Sequence, residues 1–361
     1  MASPPRPVRP DGLKTQHSVY DLDYLRQQCR WIRDELDPQV ARDGPDALHS
    51  DDILKLDELL RRLLSSNISL EDIRSSRLHL ALTTISGQGT RWPNRLIDRA
   101  DAVKAAWVTS HGLLRQLTVP LYEPGGRLHG ICRPEDTSKE KMMVRWLKEQ
   151  VVSLSPMRAR RSGDLGFKPG DWWINPLLAF RDGIIDSAGP IGGISADSDC
   201  AYAILMTADE EIDGPSPDGF TYRARSGDRG RYRLTSATRE STKPVRILRS
   251  HSLRSFWAPK AGVRHIVAGW SIRMDPRTRR MVYDIQFKRL PSQVGMNLVL
   301  RRPFSDEVED YKEYKRIRQV MRDAQGEHNL LRAVPLLAAT SIDGHFDLLQ
   351  CDPLRRDSLG G

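Results

Sequence analysis

Phe220-Thr-Tyr-Arg-Ala-Arg-Ser-Gly-Asp-Arg-Gly-Arg-Tyr-Arg233 is the stretch on which the reading of this chain turns. Phe220 and Tyr222 alternate with polar neighbours, and Arg223, Arg225, Arg229, Arg231 and Arg233 then all fall on odd positions. On an extended strand, successive side chains point to opposite faces, so one face would carry the guanidiniums. That pattern suits either a solvated face or a phosphate-binding stripe. Working outward, Ala201–Met206, Val245–Leu248 and Met281–Phe287 read as further short strands. Turn residues separate them at Asp197-Ser198, Gly214-Pro215, Ser226-Gly227-Asp228 and Asp275-Pro276. Short strands joined by loops of uneven length predict a small barrel that carries its function in its loops.

Several phrases recur in a familiar order: Pro169-Gly-Asp-Trp172, Gly192-Gly-Ile194, Ala201-Tyr-Ala-Ile-Leu205, Phe220-Thr-Tyr222, Lys243-Pro-Val-Arg-Ile247 and Ala258-Pro-Lys-Ala-Gly262. This block, residues 166–291, resembles the SRA (SET-and-RING-associated, or YDG) domain. The resemblance implies a PUA-like β-barrel with flanking helices that reads methylated or hemimethylated cytosine by flipping it out of the duplex. It implies a base pocket of Tyr222 as a stacking wall, Glu211 as acceptor for the cytosine amine, and Thr207 and Ala208 beside them. Ile191, Gly192 and Gly193 match the loop that enters the minor groove, and the arginines from Arg223 to Arg233 lie beside the DNA-facing loop. The chain also departs from the family. Met206-Thr-Ala-Asp209 stands where Gly-Gly-Tyr is the rule, which removes an aromatic wall worth about 1–3 kcal/mol of stacking. Arg223-Ala224 replaces Thr-Gly, the finger loop is cut to Arg225–Arg233, and Val267-Ala-Gly269 replaces Tyr-Asp-Gly.

The amino-terminal part has a helical period. Leu22, Leu25, Cys29, Ile32 and Leu36 form one stripe, and Ile53, Leu56, Leu59, Leu60, Leu63 and Leu64 form another, with Asp51-Asp52 as its expected cap. Ser69 and Asp72 make a capping pair for a third helix, and Leu96, Ala100, Val103 and Trp107 face inward on a last one. From Asp51 to Leu117 this order resembles the amino-terminal domain of transcription elongation factor TFIIS. The resemblance implies a docking module for peptides of transcription or chromatin proteins, with Trp107 in its core.

The chain of 361 residues carries a net charge of +9, which favours polyanionic partners. Its four cysteines lack metal-site or disulfide spacing, and its nine histidines pair with no cysteine or His-Glu motif, so no metal or cofactor is expected. No stretch has the length of a membrane span, and Met1–Leu13 is proline- and arginine-rich, unlike a signal peptide. The expected layout is α+β. A tail (1–17) precedes a helical bundle (18–118, TFIIS-like over 51–117), a linker with a helix (119–165), the barrel (166–291), and a terminal charged helix and tail (292–361). Of three classes, a nuclear, chromatin-associated DNA reader of fungal type ranks first and an interaction scaffold second; an enzyme is not expected, since zinc-module and HNH-nuclease companions are missing from the sequence.

Overall fold

Asp21 opens the first helix, its carboxylate accepting from the Asp23 amide at 3.2 Å. In this computed structural model the described residues are 20–89, 91–114, 117–149, 154, 156–187, 189, 193–224, 228, 230–235, 244–261, 263–272, 284–291 and 293–338. Helix α1 (Leu22–Arg30) continues through π-helical turns at Trp31–Leu36 into α2 (Asp37–Asp43). Helices α3 (Ser50–Ser65), α4 (Leu70–Ser76), α5 (Leu78–Ser86) and α6 (Asn94–His111) complete an all-helical bundle. Its single core joins Leu25, Ile32, Leu36, Leu56, Leu60, Ile73, Leu82, Leu96, Val103 and Trp107. Leu25, Cys29, Ile32 and Leu36 thus share one core with the leucines of α3, and α1 packs on α4 and α5, so a unit cut at Asp51 would lack part of its own core.

The expected capping pair forms at Ser69, whose hydroxyl accepts from the Asp72 amide at 3.0 Å and donates to the Asp72 carboxylate at 2.6 Å. Asp51 and Asp52 do not cap α3. They sit in its first turn, where negative charge complements the helix dipole, and His49 is the cap position. Ser69→Ala is expected to lower stability by about 1 kcal/mol, read as a shifted urea midpoint with an unchanged slope. No shift in the midpoint would show that the cap contributes nothing.

The β part departs from a closed barrel. Strands β1 (Trp172–Trp173), β2 (Gly193–Ala196), β3 (Ala201–Met206), β4 (Glu211–Ser216), β5 (Gly219–Arg223), β6 (Val245–Ser250), β7 (Val263–Ile272) and β8 (Asp284–Lys288) pair in the order β2-β3-β6-β7-β8-β5-β4, with β1 on β7. The ten-residue β7 is the hinge of this path: Val263–Ala268 pair with β6, and Gly269–Ile272 with β8. Only β3 and β6 run parallel among the described pairs. No pairing joins β2 to β4 among the described residues, and loop residues bond to both strands. The Ile194 amide of β2 donates to Asp228 Oδ2 at 2.9 Å, and Asp213 of β4 accepts from Ser255 Oγ and the Phe256 amide at 2.5 and 3.0 Å.

Two further cores flank the sheet. One gathers Trp146 of α7 (Lys139–Glu149), Trp172, Trp173, Leu178 and Phe180 of α8 (Pro176–Asp182), Leu205 and Leu248. The other gathers Ile204, Met206, Phe220, Tyr222, Ile247, Ile285, Phe287 and Val299, the last from α10 (Met296–Leu300).

The charged helix α11 (Ser305–Ala338) is a structural tie at its amino-terminal end. Asp306 meets Arg30 at 2.6 Å, Glu309 meets Arg33 at 2.6 Å, and Asp310 meets Arg77 at 2.5 Å and Arg127 at 2.8 Å. Buried Glu307 pairs with Arg302 and Arg127. Asp34 accepts from the Ser305 amide at 2.9 Å, which satisfies one of the helix's open N–H groups. The π-helical turns carry both Arg33 and Asp34 to this interface.

Candidate nucleic-acid interface

The antiparallel register of β4 and β5 places Glu211 directly opposite Tyr222, so the expected acceptor and stacking ring are cross-strand neighbours. Neither is open to solvent. Tyr222 is 1 % exposed, its ring edge-on to Phe287 at 6.2 Å. Both Glu211 oxygens are held by Arg249, with Nε–Oε2 at 2.7 Å and Nη2–Oε1 at 2.6 Å, and both side chains are 0 % exposed. The Arg249 guanidinium also lies over the Phe220 ring, 5.1 Å from its centroid. Burial pushes the Glu211 carboxyl above its ordinary range, and the charge and hydrogen bonds of Arg249 oppose that rise.

Thr207 and Ala208 form a locked turn beside this pair. Their amides donate to Glu210 Oε2 at 3.2 and 2.7 Å, and their carbonyls accept from Ser252 Oγ and the Arg254 amide at 2.7 and 2.6 Å. The four residues expected to form a base pocket are therefore brought together. A base reaching the Glu211 oxygens would have to displace the guanidinium of Arg249.

The arginine stretch is not one strand. Arg223 ends β5, its amide donating to the Glu210 carbonyl at 2.6 Å, whereas Arg231 and Arg233 lie on α9 (Arg231–Thr235). Asp228 lies between the two elements. Its carboxylate accepts from the Gly230 amide at 2.9 Å, a local turn that starts a helix, and from Ile194 at the same distance. Arg225 and Arg229 lie outside the described residues, as do Ile191 and Gly192. Gly193 starts β2 with φ +138°, a backbone region that favours glycine.

The sequence reading missed Arg246 and Arg249. Both lie in β6 within an otherwise apolar run, and an arginine in such a run is itself a signal of a buried, partnered charge.

No protein-family model matches the chain, and no curated protein sequence matches it. Among solved structures it is similar to the SUVH5 SRA domain in complex with hemi-methylated CG DNA, at 17 % identity. That overlap covers 36 % of this chain and 93 % of that one, with a TM-score of 0.29. It is similar to the modification-dependent TagI restriction endonuclease at 18 % identity and TM-score 0.31, over 36 % of this chain and 52 % of that one. It is also similar to Arabidopsis thaliana SUVH6 at 18 % identity and TM-score 0.33, over 49 % of this chain and 36 % of that one. The chain thus spans about half the length of the TagI enzyme.

Proposed function

We propose that this chain is a DNA-binding reader of the SRA type whose base pocket is latched by Arg249, so that phosphate contacts outweigh recognition of the methylated base. The buried Glu211–Arg249 pair carries this reading. Glu211 stands opposite Tyr222, where an acceptor for a flipped cytosine belongs, yet its two oxygens already receive two N–H donors. Flipping costs a few kcal/mol. Here the entering base would also have to break a charge-assisted fork, and the second aromatic wall is absent from Met206–Asp209. The motif order and the net charge of +9 support duplex DNA as the partner. A nuclear, chromatin-associated role and a peptide-docking role for the helical bundle extend the reading from the sequence resemblances.

Competition between methylated, hemimethylated and unmethylated duplexes at near-physiological salt tests it. Discrimination is expected to stay below about tenfold, or 1.4 kcal/mol. A larger preference that disappears in Tyr222→Ala would show that the pocket opens and reads the base. Absence of duplex binding would favour a scaffold, for which the same latch would serve only stability.

A further inference from the structure

Three segments far apart in the chain converge on a cleft that the base-pocket reading does not use. The π-helical turns bring Arg33 to it, the loop after β6 brings Phe256 and Lys260, and α10 and α11 bring Arg301 and Lys312. The cleft encloses about 630 Å³, within the range of small-molecule sites, and Ala258, Leu300, Pro303 and Val308 add apolar lining. Its charge is one-sided, with five cations, Arg33, Lys260, Arg301, Arg302 and Lys312, against two carboxylates, Asp34 and Glu309. Both carboxylates are engaged. Asp34 accepts from the Ser305 amide and hydroxyl at 2.9 and 3.1 Å, and Glu309 pairs with Arg33 at 2.6 Å. Arg302 is held by Glu307. The side chains of Lys260, Arg301 and Lys312, all exposed, have no hydrogen bond or ion pair among the described residues. Arg33 Nη1, although buried, also lacks a hydrogen-bond partner among them.

Phe256 adds a flat apolar surface to this cleft, and the turn that carries it is fixed. Its amide and the Ser255 hydroxyl donate to the Asp213 carboxylate of β4 at 3.0 and 2.5 Å. The Trp257 amide donates to Ser255 Oγ at 3.1 Å, and the Ala258 amide to the Ser255 carbonyl at 3.2 Å. The ring itself is 82 % exposed, the most exposed of the large hydrophobic side chains among the described residues. Trp257 meets it edge-to-face, with centroids 4.8 Å apart, and leaves most of its surface open. A single exposed apolar residue is ordinary. An open ring on a pinned turn, in one cleft with three unpaired cations, is a more specific combination.

An acidic peptide would engage the cations and leave the ring bare, whereas an apolar ligand would cover the ring and leave the cations unpaired. A nucleotide engages both, since its phosphate accepts from Lys and Arg and every base has a π-face to stack. We infer that this cleft binds a nucleotide, with its base stacked on Phe256 and its phosphate held by Lys260, Arg301 and Lys312. The site is separate from the DNA-binding reading above. None of its residues belongs to the Glu211–Tyr222 pocket or to the arginine stretch. A free nucleotide and one unit of a single strand offer the same chemistry, and the test separates these two sources.

The test titrates the full chain with ATP and with a short labelled oligo(dT) strand, and with tripolyphosphate and a polyglutamate peptide as anions without a base. ATP, the strand or both should bind, and whichever binds identifies the source. Phe256→Ala should weaken that binding at least about fivefold, the low end of one base–aromatic stack. Phe256→Tyr should retain it, and Phe256→Leu, which keeps bulk without a ring, should fail as alanine does and guards against a folding defect. Lys260→Ala with Arg301→Ala should also weaken binding and, for the strand, flatten the log–log salt slope by about 1.4. Lys139→Ala with Lys141→Ala, a charge-matched pair on α7, should change neither. Binding by neither ATP nor the strand would overturn the inference. So would tripolyphosphate or polyglutamate binding as tightly as ATP with no effect of Phe256→Ala, or equal weakening by the control pair. Equal loss of duplex affinity in Phe256→Ala would make the cleft part of the duplex interface and end its case as a separate site. A parent that binds nucleotide but no duplex would remove the DNA reading and leave this site standing.

Discussion

Glu211→Ala is expected to lower the stability of the chain by about 3–5 kcal/mol, the range for removing one partner of a fully buried ion pair. The magnitude follows from what remains. Arg249 would keep its charge with no exposure to water, and its Nη1 already lacks a hydrogen-bond partner among the described residues. The cation–π contact with Phe220 is too weak to replace a two-point carboxylate fork. Removing both charges at once has a different result. Glu211→Met with Arg249→Met leaves no unpaired charge and roughly conserves volume, so it should lie within about 1.5 kcal/mol of the parent. Urea unfolding of the parent, the single and the double variant measures both numbers. A single variant within about 1 kcal/mol of the parent would show that Arg249 finds water or another acceptor, and the latch would not be the structural element described above.

What the sequence disclosed, and what it hid, follows from the range of each interaction. β3 is legible because six residues, Ala201–Met206, are all buried and lie between turn residues. The Ser69–Asp72 cap is legible because its partners are three positions apart. The SRA-like phrases led to Glu211 and Tyr222, and the β4–β5 register does make them neighbours. The arginine stretch misled because alternation was counted past the end of β5 at Arg223 and across Asp228, whose carboxylate receives the Gly230 amide just ahead of α9. Barrel closure misled for a similar reason: strand signals say nothing about which edges meet, and here β2 and β4 are bonded to loop residues rather than to each other. The partners of Arg249 and Arg246 lie 38 and more than 80 residues away, beyond any local pattern. The role of the acidic start of α11 is hidden because Arg30 and Arg33, two of its cations, come from the opposite end of the chain.

That last network sets the second large effect. Arg77→Met should destabilise the chain by about 3 kcal/mol and should flatten the acid limb of its stability curve. Arg77 stands at the junction of α4 and α5 with φ +61°, and its side chain crosses to α11. There it donates to Asp310 Oδ1 at 2.5 Å and to the Asp306 carbonyl at 3.1 Å. Without it, Asp310 keeps only Arg127 among the described residues, and the bundle loses a tie to α11. The pH dependence has a definite sign. Burial pushes the Asp306 carboxyl up, but the hydrogen bond and charge of Arg30, with the charges of Arg77 and Arg127, hold it below the usual carboxylate range. A carboxylate depressed on folding gives stability that is present above its unfolded pKa, about 3.9, and is lost as pH falls through the lower folded value. Methionine at position 77 removes one of the cations holding Asp306 down. Its folded pKa then moves back toward the unfolded one, and less stability remains to be lost. Urea midpoints of parent and variant, measured from pH 7 down to about pH 2.5, should therefore converge as acid is added. Parallel curves across that range would mean that Arg77 contributes through its packing alone, with no charge coupling of its own to α11.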